Sequence, residues 1–199
     1  MYLTLTDIVL LTSIIQSLAL AVFLLLPSNS GLISNRLLVA TLVFFAAGLG
    51  EIFLYGSGLA LQYPNFAYLG TLIGLLQAGT LYLYAQSLMY QNFQLSGKHL
   101  VHTLLFWVVG AIFLIEYYLQ PSETKVQILL ERDHPGVLTS PLLAVAIHAV
   151  FLGYLYATIR AINRFGLGIR QIFSSIENKQ LAWLRTLLIG YAVAWTVSM

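Results

Sequence analysis

The chain has 199 residues, of which 59% are hydrophobic and only 8% charged, and its mean hydropathy is +0.86. Soluble domains carry about 25% charged residues, so this composition effectively excludes a water-soluble fold. The formal charge of +2 comes from thinly scattered arginines and lysines that form no basic stripe, which argues against direct contact with nucleic acid. There is no cysteine, so disulfides, thiolate nucleophiles and iron–sulfur ligation are all unavailable.

A bilayer core about 30 Å thick calls for about 20 apolar residues per crossing helix. On that ruler the sequence divides into apolar runs at 8–26, 37–61, 67–90, 100–119, 138–161 and 181–199. The predicted architecture is therefore all-α: a polytopic transmembrane bundle of about six helices forming a single membrane domain over 1–199. Helix punctuation separates the runs: Pro27, Ser28 and Asn29; Pro64 and Asn65; Ser96 and Gly97; Pro121 and Ser122; Ser140 and Pro141. The first run has no preceding Lys or Arg and exceeds the length of a signal-peptide core, so it reads as a first membrane helix.

Run two carries Glu51 after Gly48 and Gly50. An ionisable group at membrane depth costs roughly 2.5–3.5 kcal/mol and usually faces the bundle interior. Glu51 is thus the leading candidate for a ligand or proton site, with a protonated, hydrogen-bonded structural glutamate as the plainer reading. In run three Gly70 and Gly74, continued by Ala78, form a small-residue stripe suited to helix packing, and Tyr82, Tyr84 and Tyr90 read as interfacial anchors. Run four opens on the pair His99 and His102, whose spacing suits a metal but lacks a third ligand nearby in sequence. It closes on Glu116, a further candidate site, beside Tyr117 and Tyr118, where an aromatic belt with an interfacial carboxylate explains the same residues.

The loop that follows gathers Glu131, Asp133 and His134, which suit either a cation or a solvated turn around Pro135 and Gly136. His148 in run five is a candidate for pH sensing or ligation, against a histidine simply hydrogen-bonded to a neighbouring helix. Ala149, Gly153, Ala157 and Ala161 form a second small-residue stripe, expected at contacts within the bundle or in a homodimer. Between runs five and six, residues 164–179 place Phe165, Ile169, Ile172, Phe173 and Ile176 on one helical side and polar residues on the other. That pattern fits an amphipathic interfacial helix, or an extension of either neighbouring run.

Lys and Arg are retained on the cytoplasmic side of a membrane. Arg36, Lys98, Arg160, Arg164, Arg170 and Lys179 fall in or beside the loops after runs one, three and five, which places the N-terminus outside. An odd number of helices, seven in the simplest case, would bring the C-terminus inside, and the sequence stops at Met199 within apolar residues, so a longer parent chain is expected. No metalloprotease, nucleophile-elbow or phosphate-loop motif is present, so neither enzyme activity nor a metal or cofactor is expected.

The stretches SNRLLVATLVF at 34–44, LYLYAQSL at 81–88, KHLVHTLLF at 98–106 and above all SIENKQLAWLRTLL at 175–188 together resemble a known group of proteins. They are similar to the N-terminal membrane part of bacterial AraC/XylS-type transcriptional regulators that carry several membrane helices ahead of a helix-turn-helix domain. The resemblance implies a multi-pass module of the bacterial inner membrane that senses an envelope or membrane signal for a cytoplasmic DNA-binding domain. It transfers no DNA-binding residue to this chain, in which the final helix and helix-turn-helix expected from the resemblance are absent. Two other functions fit the sequence: a small proton-coupled transporter or channel using Glu51 or His148, and the input domain of a sensor kinase.

Overall fold

The computed structural model describes residues 4–26, 32–90, 92–131, 140–172 and 181–197, and among them every regular element is helical. Helix α1 (Leu5–Leu25) starts at a reciprocal cap. Asp7 N donates to Thr4 Oγ1 at 3.2 Å, and the Asp7 carboxylate accepts from the Thr4 amide at 2.9 Å and hydroxyl at 2.7 Å. The otherwise orphaned first-turn donors are thereby satisfied. α1 packs along α2 (Ile33–Gly56) and buries only Asp7 and Ala21, as expected of a peripheral helix that is apolar on every side.

α2 ends at Gly56, a turn earlier than its apolar run suggests. The Ser57 hydroxyl bonds back to Phe53 O at 2.7 Å, and Gly58 takes the left-handed φ of 75° that stops the helix. Short α3 (Leu59–Gln62) and a 3-10 turn (Pro64–Phe66) lead into the third long apolar stretch, which is divided into α4 (Leu69–Gly74) and α5 (Gln77–Met89). A 3-10 segment (Gly97–Thr103), α6 (Leu104–Phe113) and a π turn (Leu114–Tyr118) form the fourth long apolar stretch; α7 (Ser122–Leu130), α8 (Pro141–Ile172) and α9 (Ala182–Val197) follow.

Among the described residues five stretches are long and apolar enough to cross a membrane: Leu5–Leu25, Ile33–Gly56, Pro64–Met89, Gly97–Tyr118 and Pro141–Leu167. The sixth apolar run is a shorter apolar helix, Trp183–Val193 within α9. α8 runs on through Ile172, so residues 164–172 prolong the fifth long apolar helix; 173–179 lie outside the described residues, as do Pro27, Asp133 and His134.

α5 is the central helix, contacting α2 on one side and α8 on the other, with α9 packed on α8. Leu81, Tyr84 and Ala85 of α5 meet Phe151 and Leu155 of α8 and Leu184 and Leu188 of α9 in the largest core cluster. Tyr84 is buried there, so the expectation that it anchors an interface is corrected: the helix that carries it is enclosed by neighbours.

A second cluster lies at the Tyr118 end of the fourth apolar stretch, where Tyr117 is fully buried against Ala67 and Ile128. The Tyr117 hydroxyl donates to Pro64 O at 2.7 Å, the Tyr118 hydroxyl to Ala67 O at 2.8 Å, and Lys125 Nζ to Asn65 Oδ1 at 2.8 Å. These tyrosines thus fasten the 64–67 connection rather than standing in an exposed belt, because the π turn rotates Tyr117 and Tyr118 inward. Tyr117→Phe strands the Pro64 carbonyl and is expected to lower stability by about 1 kcal/mol. Thermal unfolding in detergent checks this, and an unchanged midpoint would show that water replaces the hydroxyl.

Candidate functional site

A cavity of about 910 Å³ lies among α2, α4, α5, α6 and α8. Phe44, Leu105, Val108, Phe113 and Ile147 are among its apolar walls, and Glu51, Thr71, Gln77, His102 and His148 supply polar groups. Ligand sites of roughly 300–1,000 Å³ with mostly apolar walls and a few polar groups have this character.

Glu51 is the most closely held of these groups. It is 8% exposed; its Oε2 accepts from Thr71 N and its Oε1 from the Thr71 hydroxyl, both at 2.6 Å. Thr71 lies in the first turn of α4, whose amides have no partner within the helix, so a carboxylate from α2 completes that turn. The contact requires α4 to lie almost on α2. At Gly70 an added Cβ would stand 2.7 Å from Glu51 Cβ and closer still to Ala47 O, so only glycine fits.

Tyr68, the residue before α4, has a φ of 65°, a left-handed conformation that is strained for a bulky side chain and costs of order 1–3 kcal/mol. Its ring is clamped by Tyr117, Phe113 and Tyr55, with centroids at 4.9, 5.2 and 6.0 Å. That packing offsets the strain and holds the first turn of α4 against Glu51. At the other end of α4 the chain tightens: Leu75 N reaches both Leu72 O and Thr71 O, and Leu76 N reaches Ile73 O at 3.0 Å. This break separates α4 from α5 beside the cavity, and Gln77, buried, is the first residue of α5.

Across the cavity, His148 Nδ1 lies 2.6 Å from Ala144 O, a carbonyl that only accepts, so Nδ1 carries the proton in this pair. His102 Nδ1 is 2.8 Å from the Tyr154 hydroxyl, and the His102 backbone and Cβ lie close on α5, where a Cβ at Gly79 would meet His102 Cβ and O at 3.0 Å. His99, the other half of the H-x-x-H pair, instead receives the Ser96 amide on Nδ1 at 3.0 Å. The two imidazoles stack with centroids 6.3 Å apart but face different partners. Among the described residues no three His, Cys, Asp or Glu side chains gather as a metal site would require.

The fold therefore brings Glu51 and His148 to one cavity and leaves Glu116 outside it, half-buried in the π turn. Of the small residues, Gly70 makes the closest approach; Gly74 borders the cavity with open space at its Cβ position, as does Gly153 elsewhere on α8. Ala149 and Gly153 are exposed and Ala157 is half-buried. Gly48 and Gly50 also have open space around them, so the neighbour of Glu51 approaches through its own glycine, Gly70, and not through those beside the carboxylate.

Thr71, Tyr68, Gln77 and the His102–Tyr154 pair are contributors that sequence reasoning did not single out. Thr71 had one signal, its position next to a packing glycine, where a hydroxyl and an amide come close to the opposing helix. No family profile, curated protein or solved structure matches the chain.

Proposed function

We propose that this chain is a membrane-embedded sensory and anchoring module whose cavity receives a lipophilic ligand and transmits its presence through helix packing. The cavity containing Glu51, His102 and His148 is the observation that carries the reading. Its rim includes exposed apolar side chains such as Ile52, Val101, Leu104 and Val108, on helices long and apolar enough to cross a bilayer, so the mouth opens onto acyl chains. A ligand dissolved in the membrane enters such a mouth without crossing water.

The coupling element is α4. It is six residues long, held by Glu51 and Thr71 on one side of the cavity and separated by the Leu75–Leu76 break from the central helix α5. A ligand that shifts Glu51 moves α4, and α4 abuts both α2 and α6. Two packings with different ligand affinity are what a sensor of this kind needs.

In this reading the module is multi-pass in a bacterial inner membrane with its N-terminus outside, and the output is an AraC-type DNA-binding domain lying beyond Met199. The output assignment rests on the resemblance of residues 175–188 and its neighbours alone. The parent gene tests it: the expected result is a further membrane helix followed by a helix-turn-helix, and an unrelated kinase domain downstream would redirect the output. Reporter fusions at Lys98 and in the α8–α9 connection are expected to report the cytoplasm; an external signal at either would overturn the orientation.

One observation favours a second reading, a small proton-coupled transporter. Broken helices beside a membrane-depth carboxylate recur in transporters, and the Leu75–Leu76 break lies in the crossing that Glu51 contacts. Proteoliposome flux abolished by Glu51→Gln would support it, whereas ligand binding without any flux supports the sensor.

A further inference from the structure

The geometry points to a lipophilic organic cation, an ammonium-like group on an apolar body, as the ligand class of the cavity; this rests on the ligand-binding reading above. The first argument is charge. Among the described side chains lining the cavity Glu51 is the one acid, His102 and His148 are the bases, and there is no lysine or arginine. Lys125, buried near the Tyr117 cluster, is occupied by Asn65. Both carboxylate oxygens of Glu51 accept hydrogen bonds from donors on Thr71, the arrangement that suits an anion. Each oxygen has about two acceptor positions, so each retains capacity for a further partner.

A buried carboxylate without a counter-charge is costly, and a bound cation relieves that cost. An anionic ligand meets the opposite situation: it faces Glu51 and finds no permanent positive side chain among the described lining residues. The imidazoles are engaged elsewhere in these bonds, His148 Nδ1 with a backbone carbonyl and His102 Nδ1 with a tyrosine hydroxyl, and neither bond is to Glu51.

The second argument is the wall. Phe44, Tyr68, Phe113, Phe151, Tyr154 and Tyr191 present aromatic rings around the same space. Ring faces attract cations electrostatically, and more strongly when water is excluded. Apolar volume, aromatic faces and one carboxylate together match a hydrophobic cation and mismatch its anionic counterpart.

The test uses two probes of the same shape and opposite charge, tetraphenylphosphonium and tetraphenylborate, titrated onto the full chain in lipid nanodiscs. Saturable binding of tetraphenylphosphonium is expected, weakened at least tenfold by Glu51→Gln and lost in Gly48→Phe. The last variant fills the cavity from a position with open space at its Cβ. The glutamine amide can still accept from the Thr71 amide and reach its hydroxyl, so the fold is expected to persist. Should it not, Ala144→Lys places a cation at the cavity wall and is expected to weaken the phosphonium by a similar factor.

Equal phosphonium affinity in wild type, Glu51→Gln and Ala144→Lys would overturn the assignment of a cation. So would saturable tetraphenylborate binding as tight as that of the phosphonium; if Gly48→Phe abolishes it, the cavity remains a ligand site for another chemistry. Absence of saturable binding by either probe in the wild-type chain would overturn the cation assignment and the ligand-binding reading together.

Discussion

Gly70→Val is expected to destabilise the folded chain by at least about 3 kcal/mol, at the upper end of what overpacking usually costs. Its Cβ would fall 2.7 Å from Glu51 Cβ and against the Ala47 carbonyl. A carbonyl in the middle of α2 cannot turn aside as a side-chain tip can, so α4 must move away, and the two hydrogen bonds between Thr71 and Glu51 lengthen or break. The variant should also lose whatever binding the cavity supports, since α4 forms one wall. Gly74→Ala is the matched control: it lies on the same short helix with open space at its Cβ position and should stay within about 0.5 kcal/mol of wild type. Thermal or denaturant unfolding in detergent measures both, and equal stability of the two variants would show that α2 and α4 are not in the close contact described.

The second large effect is expected at the carboxylate. Glu51→Leu keeps the approximate bulk of the side chain and removes both acceptors, leaving the Thr71 amide without a partner in the first turn of α4. The Thr71 hydroxyl can rotate toward a carbonyl of its own chain, but the amide has no such freedom. Hydrogen bonds to a charged group contribute about 1.5–3 kcal/mol each, so a total loss of about 3 kcal/mol is expected, against less than about 1 kcal/mol for Glu51→Gln. The contrast matters more than either value, because it separates the need for an acceptor from the need for a charge. If Glu51→Leu proved as stable as wild type, the carboxylate would contribute nothing to holding α4, and the coupling assigned to that helix would lose its basis.

The two results bear on function in different ways. Stability that depends on an acceptor at Glu51 makes the residue part of the scaffold. Cation affinity that depends on its charge makes it part of the site. A residue that satisfies both is the linkage a sensor requires, since a ligand competing for the carboxylate then acts directly on the element that holds α4 in place.

The all-helical character, the long apolar helices and their approximate positions were legible in the sequence, because the hydrophobic length needed to span a bilayer is a local property of consecutive residues. Glu51 and His148 were legible as candidates for a similar reason: an ionisable side chain inside an apolar run stands out wherever the chain folds. Their assembly around one cavity was not, since α2 and α8 lie about 100 residues apart in the chain and only packing brings them together. Nor was the choice of Gly70 over Gly74, Gly48 and Gly153 as the point of closest approach, because a glycine's role depends on what stands opposite it. The break at Leu75–Leu76 and the strained Tyr68 were equally hidden, as leucines and tyrosine carry no local signal for a turn or a left-handed backbone. Such conformations exist where tertiary contacts over-determine them, here the rings of Tyr55, Phe113 and Tyr117 and the grip of Glu51 on Thr71.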